Sequence, residues 1–265
     1  MTGKHSDDIR RSVRTSYASI AEAEGSCCAT SDASCCAPPT KSAEGKARKL
    51  GYSDTELAAA PEGANMGLGC GNPTAIASLK AGEIVVDLGS GGGFDCFLAA
   101  EKVGPEGGVI GVDMTPEMIE KARRNAEKMD AANVEFRLGE IEHLPIADQT
   151  ADLIISNCVI NLSPEKAAVY RDAYRVLKPG GRLCISDVVA TAPLPEALRQ
   201  DMAMVSSCIG GAAEVEQISR WLEQTGFRDV RIAVNEESRA FIRDWVPGVD
   251  FEGYIASATI EATKP

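Results

Sequence analysis

The residues of this 265-residue chain with the most unusual chemistry are its nine cysteines. Where thiols stay reduced, so many of them point to metal, metalloid or redox chemistry rather than to a disulfide framework. Cys96 and Cys184 sit in apolar runs, where a cysteine serves as a small buried apolar group. Cys27, Cys28, Cys35 and Cys36 form two Cys-Cys pairs in a stretch rich in Ser, Ala and Pro. Cys70 in NMGLGCGNP, Cys158 in SNCVINL and Cys208 in SSCIGGA are too far apart for the paired CxxC ligands of a zinc ribbon. Taken singly, each also suits a small buried core position. Taken together, they are soft ligands for a soft or borderline centre. The two histidines, His5 near the terminus and His143 in EIEHLP, are poorly placed to act as a base. A soft acceptor with its own lone pair needs none.

The second constellation is VVDLGSGGGFD at 85–95. It follows an apolar strand and opens into a helix, and its glycines let backbone N–H groups approach a ligand at the helix start. Asp113 ends the next strand about 20 residues on, where an acidic side chain can grip ribose hydroxyls. Nicotinamide cofactors use a similar layout, but Phe94 stands where the third glycine of GxGxxG belongs.

The elements that must position these groups alternate. Strands are expected at 84–88, 109–113, 134–138, 152–156 and 182–189, and helices at 94–103, 116–130 and 167–177, with Pro179-Gly180-Gly181 as a turn. The fold class is α/β, a doubly wound, mostly parallel sheet. Ile9, Val13, Tyr17 and Ile20 predict an amphipathic helix over 7–23, followed by a mobile Cys-bearing arm at 24–45. Beyond 190 the pattern loosens. A helix at 218–226, a strand at 228–234 and a last strand at 253–262 are expected, with 191–215 able to cover a site at the strand ends. The domain reading is 1–45 helix and Cys-rich arm, 46–190 cofactor domain, and 191–265 acceptor-covering region. A formal charge of −12 argues against nucleic acid as a partner. The opening MTGKHSDDIRR lacks a signal peptide's apolar core, and no run nears the roughly 18 apolar residues that span a bilayer, so a cytoplasmic protein with no membrane partner is expected.

The run Asp-Leu-Gly-Ser-Gly-Gly-Gly resembles the first motif of class I S-adenosylmethionine methyltransferases, a resemblance covering roughly residues 75–190. It implies that Asp87, Gly89, Ser90 and Gly91 border the methionine part of the cofactor, Asp113 and Met114 the ribose and adenine, and Glu140 and Ile141 the adenine edge. It also implies that Asn157 and Cys158 lie close to the transferred methyl. The segment YSDTELAAAPEGANMGLGCGNP at 52–73 further resembles arsenite methyltransferases, as do SNCVINL, SSCIGGA and SRAFIRDWVPG, so that this second resemblance covers 45–265. It implies that Cys158 and Cys208 hold As(III), with Cys70 as a third thiolate or as the disulfide partner of an N-terminal cysteine. Arsenite and trivalent methylarsenicals would be the acceptors, and a thiol reductant such as glutathione or thioredoxin would keep the cysteines reduced. Two rival readings remain. A C- or O-methyltransferase of small organic acceptors would not need Cys70 and Cys208, and a non-catalytic metalloid-binding thiol protein would not need the glycine turn with Asp113.

Overall fold

The computed structural model describes residues 3–22, 39–242, 245, 251 and 253–265. The Cys-Cys pairs at 27–28 and 35–36 lie outside them. Helix α1 (Gly3–Glu22) forms as its apolar spacing predicts, burying Ile9 and Val13. Residues 39–45, read from sequence as arm, belong to α2 (Pro39–Lys49). That helix is polar overall, but Ala47 is buried in a small cluster with Tyr52 and Leu98, and packing of this kind outweighs a weak periodic signal. Ser53 and Glu56 form a reciprocal capping box that starts α3 (Asp54–Ala59), and Asn72 caps α4 (Pro73–Ile76), which has proline at its first position.

The sheet begins with β1 (Ile84–Leu88), which leads through the glycine turn into α5 (Phe94–Val103). Then come β2 (Gly108–Asp113), α6 (Pro116–Met129), β3 (Val134–Leu138) and β4 (Ala151–Asn157). They are followed by α7 (Lys166–Val176) and β5 (Leu177–Ala190). Pro179-Gly180-Gly181, expected as a turn, lies inside β5. The register against β4 jumps between Ala151 and Leu153, so the extra residues are absorbed as a bulge rather than ending the strand. Short helices α8 (Glu196–Gln200) and α9 (Met202–Ser206) occupy the expected covering segment. The chain closes with β6 (Ala213–Glu214), α10 (Val215–Thr225), β7 (Arg228–Asn235), α11 (Arg239–Ile242) and β8 (Ile255–Thr263).

The strand order is β3-β2-β1-β4-β5-β8-β7, with β6 pairing β5 off this path. β1 to β5 are parallel, and β8 runs antiparallel to both β5 and β7. β1 and β4 are buried almost throughout because helices cover both faces, which explains their unbroken apolar runs. The order reverses between β1 and β4, and such a switch point opens a ligand crevice at the carboxyl ends of the strands. A second buried cluster gathers over that end. It joins Ile9 and Val13 of α1, Val205 of α9 and Ile255 of β8 to Cys70, Cys158 and Cys208. Among the described residues, no helix is long and apolar enough to cross a membrane.

Candidate active site

The crevice at the switch point is a cavity, and the glycine turn is one of its walls. Gly89 has φ +73, and a Cβ there would stand 2.4 Å from Val159 Cγ1, just past β4, so the two strand ends meet only because this residue has no side chain. Gly89→Ala combines overpacking with left-handed strain and is expected to destabilise the chain by about 2–4 kcal/mol. Denaturant unfolding checks this, and an unchanged midpoint would contradict it. Gly93 caps α5 at φ +90, where a side chain would collide with Phe136 and Phe97.

Of the residues expected at the cofactor, Asp87, Gly89, Ser90, Gly91, Asp113, Met114, Ile141 and Asn157 all line this cavity, and Cys158 lines it too. Asp113 accepts N–H bonds from Gly91 (3.0 Å) and Thr115 (2.9 Å), so its carboxylate both shapes the glycine turn and faces the cavity. Glu140 is not among the lining residues. Its carboxylate is turned to Arg10 and Arg14 of α1, and the adjoining Glu142 takes its place on the wall. Glu142 is buried, accepting from Ser163 Oγ (2.6 Å) and Arg10 (3.2 Å), which ties α1 over the cavity. Asn157 lines the cavity with its amide already engaged: Nδ2 lies 3.0 Å from Tyr52 Oη, Gly71 O and Asp95 Oδ2, and Oδ1 accepts the Cys70 N–H.

Two features fit a ligand that is polar and cationic in part. Ser90 Oγ and Asn65 Nδ2 are buried in the cavity wall without a hydrogen-bond partner among the described residues, a cost that a polar ligand removes. Asp87 and Asp95 are both buried there, and burial first, then the Asp95 charge, pushes the Asp87 carboxyl far above the usual carboxylate range. A positive group beside them, such as the ammonium or sulfonium of S-adenosylmethionine, offsets that cost. The linkage has a definite sign. Above about pH 4 the unfolded Asp87 is ionised while the folded one keeps its proton, so stability falls as pH rises toward the folded pKa. Asp87→Asn removes this slope, so thermal melts of the ligand-free variant should gain on the wild type more at high pH than at low pH. A constant difference would contradict the assignment.

The thiols lie at the same strand ends. Cys158 follows β4 directly, with φ +61, and its N–H donates to Ser186 O (2.8 Å) of β5. Cys208 follows α9 with φ +63, and its Sγ lies 2.9 Å from Cys158 O. A left-handed conformation costs a non-glycine residue of order 1–3 kcal/mol and persists only where its surroundings impose it. Cys70 arrives on the 64–73 strap, with Sγ 3.6 Å from Ser186 O. The ligand atoms of Cys70, Cys158 and Asp187 all lie within 4.8 Å of one another, while Cys208 stands outside that group and meets Cys158 through the Sγ contact to its carbonyl. Cys70 does not reach the cofactor cavity and borders a separate cleft. Cys96 donates to Asp87 Oδ2 (3.2 Å) and Cys184 is buried in β5, so neither joins this cluster.

Burial pushes the Cys70 thiol up to about 11. For Cys158 the Cys208 hydrogen bond acts downward, but the Cys70 hydrogen bond and burial together hold it well above the usual range. The hydrogen bond with Cys158, then burial, raises Cys208. All three are neutral thiols at pH 7. Asp187 is pushed up to about 6 by burial, against N–H bonds from Val188 and Asn161 that act downward.

Several participants are not singled out by the sequence: Tyr17, which packs against the cluster holding Cys208; Asp95, which accepts from Tyr52 Oη; and Asp187, which faces Lys166. Asp95 lies inside the glycine motif and Asp187 lies three residues past Cys184 in CISDVV, so an acid within an apolar strand was the available signal.

A profile of the family described as a methyltransferase domain matches residues 79–226. The arsenite methyltransferase of Halobacterium salinarum is 52% identical over 265 residues, covering 98% of this chain and 67% of its own length. The chain belongs to the arsenite methyltransferase family. The human arsenite methyltransferase is 40% identical over 157 residues, covering 56% of this chain and 42% of its own length. The crystal structure of an arsenic(III) S-adenosylmethionine methyltransferase from Chlamydomonas reinhardtii superposes with a TM-score of 0.61 at 35% identity, covering 82% of this chain and 72% of the other. Within the family, then, this chain spans less than half the human arsenite methyltransferase's length and two thirds of the archaeal one's.

Proposed function

We propose that the chain transfers a methyl group from S-adenosylmethionine to trivalent arsenic held by Cys70, Cys158 and Cys208, turning arsenite into methylated arsenicals. The observation that carries this reading is Cys158: it lines the cofactor cavity, and it neighbours both Cys70, whose Sγ lies within 4.8 Å, and Cys208, whose Sγ meets its carbonyl. Bound S-adenosylmethionine supplies an electrophilic methyl on a cationic sulfur. Gly89, Ser90, Gly91, Asp113 and Met114 would hold it, with Ile141 on the adenine side and Asp87 toward its positive groups. The thiols present arsenic with its lone pair toward the cavity, and positioning supplies most of the rate. Soft ligation suits a soft centre, and no proton has to be abstracted from the acceptor. The transferred methyl cation takes the arsenic lone pair, so return to trivalent arsenic takes two electrons: a thiolate attacks one ligating sulfur, that S–As bond breaks with its electron pair left on arsenic, and the disulfide formed is reduced by the thiol reductant. Each methyl thus replaces one thiolate ligand, and ligand loss favours release after a second transfer. Glutathione or reduced thioredoxin would keep the thiols reduced, in a cytoplasmic setting.

The raised thiol pKa values suit this substrate. Each S–As bond replaces one As–O bond of neutral As(OH)3, and the thiol proton leaves with the hydroxide as water, so no net proton is released. A zinc ion held by two thiolates displaces two protons instead. Calorimetry should give an arsenite affinity nearly flat between about pH 6 and pH 8, while zinc affinity strengthens about 100-fold per pH unit. A steep arsenite profile would contradict the neutral-thiol site. The activity itself is tested by incubating reduced protein with arsenite, glutathione and S-adenosylmethionine and separating the arsenic species. Methylated arsenic is expected. S-adenosylhomocysteine formed only with an organic acceptor would move the chain to carbon or oxygen chemistry.

A further inference from the structure

A second cleft, distinct from the cofactor cavity, also ends on the thiols, and both Cys158 and Cys208 line it. Ser12 and Ser16 of α1 and Ser206 and Ser207 beside α9 give it hydroxyls, while Met202 and Trp245 form an apolar flank. The residues common to this cleft and the cofactor cavity are Tyr17, Gly67, Leu68, Gly69 and Cys158. They form the partition between the two spaces. Leu68 is 38% exposed, unusual for a large apolar residue, and is flanked by Gly67 at φ +66 and by Gly69, where a Cβ would stand 2.7 Å from Asn157 Nδ2. The strap is therefore pressed close to the end of β4 at Gly69, with Leu68 bordering both spaces.

Resting on the reading of the thiols as the acceptor site, we propose that trivalent arsenic enters, and water leaves, through this serine-mouthed cleft, with Tyr17 and the Gly67–Leu68–Gly69 strap separating it from the cofactor. Hydroxyl groups at the mouth exchange hydrogen bonds with a small neutral trihydroxide, and the apolar flank receives the methyl substituents of a partly methylated acceptor. Because the two ligands use separate openings, spent cofactor can be exchanged while arsenic stays on the thiols. Successive methyl transfers then need no intervening release of arsenic.

The test uses access to the thiols rather than turnover. Reduced protein is treated with iodoacetamide with and without saturating S-adenosylhomocysteine, and the labelled cysteines are identified by peptide mass spectrometry. Cys158 and Cys208 should label at the same rate in both conditions. Ser16→Trp and Ser207→Trp, which fill the mouth, should slow labelling about ten-fold or more with affinity for S-adenosylhomocysteine unchanged. Protection of both cysteines by S-adenosylhomocysteine in the wild-type chain overturns the proposal, whatever the variants do. Failure of the wild-type chain to bind S-adenosylhomocysteine strikes the cofactor reading instead, and the tryptophan variants alone then decide the route: unslowed labelling overturns it and slowed labelling supports it.

Discussion

Cys158→Ser is expected to reduce arsenite methylation below about 1% of the wild-type rate while leaving S-adenosylmethionine affinity unchanged. The substitution keeps size, the left-handed φ of +61 and the N–H bond to Ser186 O, so the turn after β4 survives. What changes is the ligand. A hydroxyl is a hard and feeble partner for As(III), and Cys158 is the residue that neighbours both Cys70 and Cys208. Its loss also removes the ligand nearest the cofactor cavity, so any arsenic left on the other two thiols is displaced from the methyl. A misplacement of about 1 Å alone can cost on the order of 100-fold. Chromatographic arsenic speciation measures the loss and equilibrium binding measures the cofactor. Retained turnover contradicts the site.

The second large effect is expected at Asp113. Asp113→Asn keeps the shape but removes the charge and leaves one carbonyl oxygen to serve the N–H groups of both Gly91 and Thr115. Hydrogen bonds to a charged group are worth about 1.5–3 kcal/mol each, so losing one, together with weaker ribose contacts, should raise the S-adenosylmethionine Kd about 10- to 100-fold. Arsenite binding should be unaffected, since Asp113 lies in the cofactor cavity and outside the thiol cluster. Calorimetric titration of each ligand separates the two. Equal weakening of both would mean that Asp113 organises the whole end of the sheet.

The parallel core was legible in the sequence because β1, β2 and β4 carry near-continuous apolar runs and the crossover helices a helical period. The glycine turn and Asp113 were legible for a chemical reason, namely that few other residue types permit that approach to a ligand. Pro179-Gly180-Gly181 misled because a bulge and a turn use the same residues, and only pairing with β4 distinguishes them. Glu140 was expected at the cofactor, but Glu142 is the acid on the cavity wall: both acids bridge to α1 and only Glu142 is also held by Ser163, contacts that come from residues 21 to 132 positions away. The grouping of Cys70 with Cys158 depends on Asn157, whose amide holds the Cys70 backbone across 87 residues of sequence. No periodicity announces a contact of that kind. Asp187 and Tyr17 were missed for the same reason, since each meets the thiols only through folding.

The central claim is that these three thiols are the ligands of the arsenic that is methylated. X-ray absorption at the arsenic edge, on reduced protein with one equivalent of arsenite and S-adenosylhomocysteine, tests it most directly. A first shell made only of sulfur is expected, three atoms in the wild type and fewer in Cys158→Ser. Oxygen ligation in the wild type, or a shell unchanged by the substitution, would contradict it.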